Sequence, residues 1–272
     1  MKKCKKGVRE QDISGIIHLS SDKKIIKIRC IVMSKYCYIG CHVLWREVCH
    51  FISISKNYYD IQFLDFGLHC NPDDLRISVQ NAIDRINKNY DAILLGYGLC
   101  SNGVVGIEAK KNKLVIIRGH DCITHLMGSK EKYREYFDKY PGTYWYSPGW
   151  IEDHLEPGKD RYEQTRQDYV GKFGEENADY LMDLEQDWFR KYTYATYVDL
   201  NIGDNEHFKK HTKECADWLK WNYNEIKGDP DLLVNFLNGN WEDSDKYLIV
   251  DPGYMIQPSY DNSIIKAVKI VH

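Results

Sequence analysis

Asp91-Ala92-Ile93-Leu94-Leu95-Gly96-Tyr97-Gly98-Leu99-Cys100 is the stretch on which the fold turns. Residues 92–95 are apolar without a break, which marks a strand buried on both faces, as in a parallel sheet covered by helices. Working outward, residues 36–41, 59–66, 114–117 and 143–146 read as further short strands. The segments between them carry helical spacing. Residues 42–53 turn Val43, Leu44, Val48 and Phe51 to one face, and Asn71 with Pro72 caps a helix burying Leu75, Val79, Ala82, Ile83 and Ile86. Strands alternating with helices at this spacing imply βαβ units. The expected class is α/β, a mainly parallel twisted sheet flanked by helices, Rossmann-like.

Residues 1–24 are polar and weakly patterned and read as an N-terminal appendage, followed by a candidate edge strand at 25–33. Residues 25–155 form the α/β half that carries the candidate site. Residues 156–272 form a second, more helical half, with helices at 162–192 (broken at Gly171 and Gly174), 207–226 and 231–237. Strands are expected there at 196–200 and 247–250. Short helices are expected at 104–109 and 129–140. Alternation in both halves is compatible with two similar halves or with completion of a single sheet, and both readings stay open.

Charge and hydropathy exclude several classes. Among 272 residues, Lys and Arg number 37 against 40 Asp and Glu, a formal net charge of −3. Such a balance lacks the basic footprint of a nucleic-acid binder. No apolar run approaches the ~20 residues of a membrane span, so no membrane partner is expected. The basic start, Met1 to Lys6, is followed by no apolar core, so the expected location is cytoplasmic. Nine cysteines, an odd number scattered singly, do not form a disulfide framework. They are buried thiols, metal ligands or a nucleophile.

Position separates these readings. In open α/β sheets ligands collect beyond the carboxyl ends of the strands. The first expected strand ends at Cys41, and the second is followed by His69 and Cys70. The third runs into Gly98-Leu99-Cys100-Ser101-Asn102-Gly103, and the fourth into Arg118-Gly119-His120-Asp121-Cys122. Four strands thus each deliver a cysteine to one edge. Thiolates are soft ligands for iron–sulfur clusters and zinc, and three of them leave one metal position open. The expected metal set is Cys41, Cys100, Cys122 and His69. Gly96, Gly98, Asn102 and Gly103 are the expected cofactor-binding backbone, because glycine lets main chain approach a ligand. Arg118, His120 and Asp121 are the catalytic candidates: a guanidinium grips an anion in a two-pronged geometry, and an imidazole moves protons near neutral pH. Arg118 paired with Asp121 as a structural ion pair is the competing reading.

Several of these motifs resemble one family. They are Ile39-Gly40-Cys41-His42-Val43-Leu44-Trp45-Arg46-Glu47, Gly67-Leu68-His69 with Pro72, and 91–100. Arg118-Gly119-His120-Asp121-Cys122, Gly128-Ser129 with Tyr133, and Gly142-Thr143-Tyr144 leading to Pro148-Gly149-Trp150 complete the set. Together they resemble the bacterial and archaeal family called domain of unknown function 1638, over roughly 30–253. Cys41, Cys100 and Cys122 fall on its motif positions; Cys70 does not and ranks fourth. The family is frequent in anaerobes and often lies near corrinoid-dependent methyl-transfer genes. The strand-end thiols set the expectation of a metal-dependent enzyme, a transferase or lyase, with a three-cysteine [4Fe–4S] or zinc centre acting on a small, anionic substrate; the family's anaerobic distribution leans to iron–sulfur and its corrinoid neighbours to zinc. The alternative is a non-catalytic metal or corrinoid carrier, with a corrinoid protein as partner.

Other groups carry weaker signals. His207, His211 and Cys215 share one helix face at chelating spacing, although a solvated amphipathic face explains them as well. Glu152, His154 and Glu156 are lid candidates, and Tyr97, Tyr144, Tyr146 and Trp150 are candidate aromatic walls. No Ser-His-Asp order, phosphate loop or paired-carboxylate signature is present.

Overall fold

The computed structural model describes residues 33–271. The appendage at 1–24 and nearly all of the strand expected at 25–33 lie outside the described residues. Five strands form the main sheet in the order β2-β1-β3-β4-β8. These are β1 (Lys35–Cys41), β2 (Tyr58–Leu64), β3 (Ala92–Gly96), β4 (Leu114–Ile117) and β8 (Tyr247–Val250). The first four are parallel, and β8 closes the edge antiparallel to β4. A second sheet, all parallel, runs β5 (Thr143–Tyr146), β6 (Tyr194–Asp199), β7 (Asn222–Lys227). An antiparallel hairpin joins β9 (Tyr254–Pro258) to β10 (Ile265–Lys269). The architecture is mixed α/β, with a mostly parallel central sheet flanked by helices.

Burial explains why the central strands pair as they do. Every residue of β3 and β4 is buried. A sheet packed on both faces tolerates no polar side chain, so an unbroken apolar run is the pattern it selects. Helix α1 (Trp45–Ser53) follows a 3₁₀ turn at His42–Leu44, and Val43, Leu44 and Val48 are almost fully buried. Helix α2 (Pro72–Asp84) starts as the sequence foretells, with the Asn71 side chain accepting from the Asp73 N–H and Pro72 in the first turn.

The structure corrects several expectations. Residues 104–109 are turns, not a helix: Gly106 has φ of 86° and pairs with the Ile256 carbonyl, and Glu108 bridges to Met255. The helix expected at 207–226 ends early. Helix α8 (Glu206–Leu219) stops at Lys220 in the left-handed region, and the chain returns as β7. The expected break at Gly171 does not occur. Helix α6 (Lys159–Phe173) runs through it, and the turn falls at Gly174, before α7 (Glu175–Phe189). The hairpin of β9 and β10 has no counterpart in the sequence reading. Among the described residues no helix is long and apolar enough to cross a membrane.

Candidate functional site

Strand order fixes where to look. From β1 the chain steps to β2 on one side and then to β3 on the other, so the order reverses between β1 and β3. The crevice beyond their carboxyl ends is where an open sheet of this kind takes a ligand. Cys41 is the last residue of β1, Cys100 lies four residues past β3, and Cys122 five past β4. All three are buried.

They are also neighbours. Burial pushes the Cys41 thiol up to about 12. Burial raises Cys100 further, assisted by Asp121 and Cys41, and it raises Cys122 with help from Cys41, Asp121 and Cys100. Each charged form repels the others, so all three are neutral thiols at pH 7, and a neutral thiol is a poor nucleophile. The Tyr38 and Tyr97 hydroxyls lie in the same electrostatic neighbourhood and are buried without a hydrogen-bond partner. Cys70 stands apart, exposed at the end of a 3₁₀ turn.

The loop that presents Cys100 is strained. Cys100, Ser101 and Asn102 take φ of 47°, 54° and 70°, three successive residues with a Cβ in the left-handed region. Each costs roughly 1–2 kcal/mol. The loop is held by Leu99 and Cys100 N–H groups donating to the Gly119 and His120 carbonyls, at 2.8 and 2.9 Å. Strain of this kind persists only where the surroundings enforce it, and it concentrates at functional positions.

An aromatic wall borders the thiols. Trp150 packs on Phe66 (ring centroids 4.6 Å apart), Phe66 on His69 (5.4 Å), and His69 faces Tyr97 (6.0 Å). His69 Nδ1 lies 3.1 Å from the Phe66 carbonyl, which only accepts, so Nδ1 carries the proton and Nε2 is left as an acceptor. Burial holds this imidazole below its usual value, hence neutral. Tyr144 and Tyr146 belong instead to the second sheet, where the Tyr146 hydroxyl donates to the Pro157 carbonyl.

Helix α5 (Pro148–Asp153) closes over the edge. A Cβ on Gly149 would stand 1.9 Å from the Val43 carbonyl oxygen, so only glycine permits this approach. Asp153 holds His42 Nδ1 with both carboxylate oxygens, at 2.6 and 2.7 Å, and Glu152 accepts from Arg46 and Trp45. The expected lid is therefore pinned: Glu156 is buried and pairs with His211 at 3.3 Å. Cys215 lies 3.6 Å from the same imidazole, and these two partners hold His211 above its ordinary value. His207 packs on Phe208 instead.

The other predicted residues divide. Asp121 sits beside the thiols, its carboxyl raised by burial and taking a hydrogen bond from the Tyr133 hydroxyl at 2.9 Å. His120 is exposed. Arg118 is neither an anion grip nor a partner of Asp121. Its guanidinium donates to the carbonyls of Ser244 (2.7 Å), Ser263 (2.9 Å) and Ile265, which ties β4 to the C-terminal segment. The glycines are likewise used for packing rather than as an open cradle. The Tyr38 hydroxyl fills the Cβ space of Gly96, Asp121 main chain that of Gly98, and Leu75 that of Gly103. Asn102 is exposed, and its carbonyl accepts from the Val105 N–H.

Three groups escaped the sequence reading. His42 with Asp153 is one. His125, three residues past Cys122 in α3 (Ile123–Met127), is fully buried with both ring nitrogens unpartnered, and burial lowers it to about 4. The third is the buried pair Glu47 and Asp199. The Cys122-Ile123-Thr124-His125 spacing was the one signal available for His125. Among the described residues no group of three or more His, Cys, Asp or Glu side chains lies in metal-holding geometry.

No curated protein and no solved structure matches the chain. A family model described as protein of unknown function (DUF1638) matches residues 63–237. That span is narrower than 30–253; it includes Cys100 and Cys122 and leaves Cys41 to its N-terminal side. It covers more than half of the chain, and the protein belongs to the DUF1638 family.

Proposed function

We propose that the carboxyl edge of the main sheet is a soft-metal centre held by Cys41, Cys100 and Cys122, in an enzyme acting on a small molecule. The observation that supports this reading is the convergence of three buried thiols just beyond the ends of β1, β3 and β4, where Cys41 raises both Cys100 and Cys122 and Cys100 raises Cys122. As nucleophiles these thiols are disabled by their burial. A metal ion reverses that, because it displaces the thiol protons and cancels the mutual repulsion. The donor set fits iron in a [4Fe–4S] cluster or zinc, and the thiols must close further on the ion to reach ligand distance. A three-thiolate centre supplies one open position to a substrate atom.

The chain's own residues have separable parts in this reading. His69, neutral with Nε2 free of the proton, is the fourth donor or the group that orients one. His42, fixed by Asp153, is the group at the edge suited to hold or move a proton. Arg118, whose Nε and Nη1 donate to carbonyls, is not assigned to an anionic substrate in this reading. The reversal of strand order supports reading the frame as Rossmann-like, and a corrinoid protein as partner rests on the family resemblance alone.

Protein isolated without oxygen should carry iron with acid-labile sulfide, or zinc, at a fixed ratio to chain. Cys41→Ser, Cys100→Ser and Cys122→Ser should each lose it, while Cys70→Ser and Cys215→Ser keep it. Folded wild-type protein free of both metals after anaerobic isolation, or equal metal in all five variants, would overturn the reading.

A further inference from the structure

Cys215 packs in the smaller apolar cluster, with Tyr146 and Phe208, and not with the thiols of the main sheet. It shares one face of α8 with His211, four residues earlier. Cys215 Sγ lies 3.6 Å from His211 Nε2, and Glu156 Oε2 lies 3.3 Å from the same nitrogen. Glu156 is 4 % exposed and Cys215 7 %, while the His211 side chain is 33 % exposed. The segment that carries Glu156 is held in place on both sides of Cys215. The Tyr146 hydroxyl donates to the Pro157 carbonyl at 2.8 Å, and a Cβ on Gly158 would stand 2.7 Å from Cys215 Sγ. Among the described residues, Cys215 is the one cysteine with an imidazole at its sulfur.

An imidazole between two groups that accept its proton keeps that proton. Cys215 and Glu156 together hold His211 up to about 10, so it is a cation at neutral pH. Burial pushes the Glu156 carboxyl up, and the His211 contact opposes that rise. A cation beside a sulfur favours the thiolate, the nucleophilic form. A cysteine within reach of a histidine that a third group holds in turn is the arrangement of an activated nucleophile. Here both partners share Nε2, so its one proton lies next to the sulfur and any group leaving from it. We propose that Cys215, His211 and Glu156 form an activated-thiol site that small hydroperoxides oxidise. The Cys215 thiolate attacks one peroxide oxygen; an S–O bond forms and the O–O bond breaks. The departing hydroxide or alkoxide takes the Nε2 proton of His211 and leaves as water or alcohol. Sulfur is oxidised by two electrons to the sulfenic acid, and the peroxide is reduced by the same two. The slight exposure of Cys215 suits an oxidant of two oxygen atoms rather than a bulky electrophile. Burial raises the Cys37, Cys41, Cys49, Cys100 and Cys122 thiols instead, which disfavours the reactive form. The site involves no metal and stands whether or not the main-sheet thiols bind one.

Hydrogen peroxide is the probe. Full-length protein isolated without oxygen is treated with it, quenched with catalase at set times and unfolded in N-ethylmaleimide with dimedone. Mass spectrometry of the cysteine peptides then reads each position as thiol or sulfenic acid, whatever its burial in the fold. Cys215 should convert at least tenfold faster than Cys70, which is exposed. His211→Gln should slow Cys215 tenfold or more and leave Cys70 unchanged. Glu156→Gln keeps an acceptor for Nε2 without the charge, so it should slow Cys215 as well. Cys100→Ser should leave the Cys215 rate unchanged, which separates this site from the metal reading. Circular dichroism checks that the variants fold; if they do not, the ratio of Cys215 to Cys70 in the wild type decides. Conversion of Cys215 no faster than Cys70 would overturn the site, because exposure alone would then set the order. An unchanged Cys215 rate in folded His211→Gln would overturn it equally.

Discussion

Glu47 shows how much one residue can conceal. In sequence it is an ordinary glutamate in the first turn of an amphipathic helix, where an acid suits the helix dipole. In the fold, burial raises its carboxyl to about 7 from the ordinary 4.5, with Asp199 and Glu152 adding to the rise and Arg46 opposing it. Between those values the folded chain holds a proton that the unfolded chain has released. The stability this contributes is complete below pH 4.5 and is lost as pH rises through 7. The full difference is about 3 kcal/mol. Urea midpoints measured with chelator present should therefore fall between pH 5.5 and 8, and Glu47→Gln should flatten that decline. An equal decline in the variant would mean that Glu47 is not the titrating group. His69 shows the opposite case: a histidine after a strand is visible in sequence, but its neutrality comes from burial, which outweighs the opposing pull of the Phe66 carbonyl on its Nδ1 proton.

At the scale of elements, the connection after β3 matters most. A Gly-x-Cys-x-x-Gly run reads as ordinary turn punctuation, yet Gly98 and Gly103 are packed against Asp121 and Leu75, and the backbone strain falls on three of the four residues between them, Cys100, Ser101 and Asn102. Ser101→Gly should raise stability by about 1 kcal/mol, because glycine adopts the left-handed region without a Cβ penalty. Equilibrium urea unfolding measures it. A loss of stability would show that the Ser101 side chain contributes more than its strain costs. The missed strands have a physical explanation. Residues 222–227 hold Asn, Tyr, Asn, Glu, Ile and Lys on an edge strand with no fully buried residue, so no apolar run advertises it. Helix α8 ends where Lys220 takes the left-handed region, a stop that a lysine does not announce in sequence.

For the whole molecule, closure of the main sheet depends on the C-terminus. Strand β8 returns from the second half of the chain to pair with β4, and Arg118 clamps the segment around it through three carbonyls. Arg118→Ala should cost roughly 2–3 kcal/mol, the scale of lost hydrogen bonds to a charged donor. Amide hydrogen exchange should accelerate across 244–268, while metal content stays as in wild type. Unchanged protection there would show that β8 holds the edge unaided. Helix α5 does the corresponding work at the opposite edge of the site, where Gly149 meets Val43 and Asp153 meets His42.

The sequence by itself determined the βαβ order, the buried central strands, the cap of α2 and the edge at which Cys41, Cys100 and Cys122 gather. These follow from local patterns: apolar runs, capping residues, and the rule that a parallel strand ends where its neighbours end. Only the tertiary structure decided that the glycines serve packing, that Arg118 binds carbonyls, that β8 completes the main sheet, and that Glu47 is buried. Each of those depends on which distant segment occupies the space beside a side chain. Burial and the positions of neighbouring charges then set the chemistry of the groups left there.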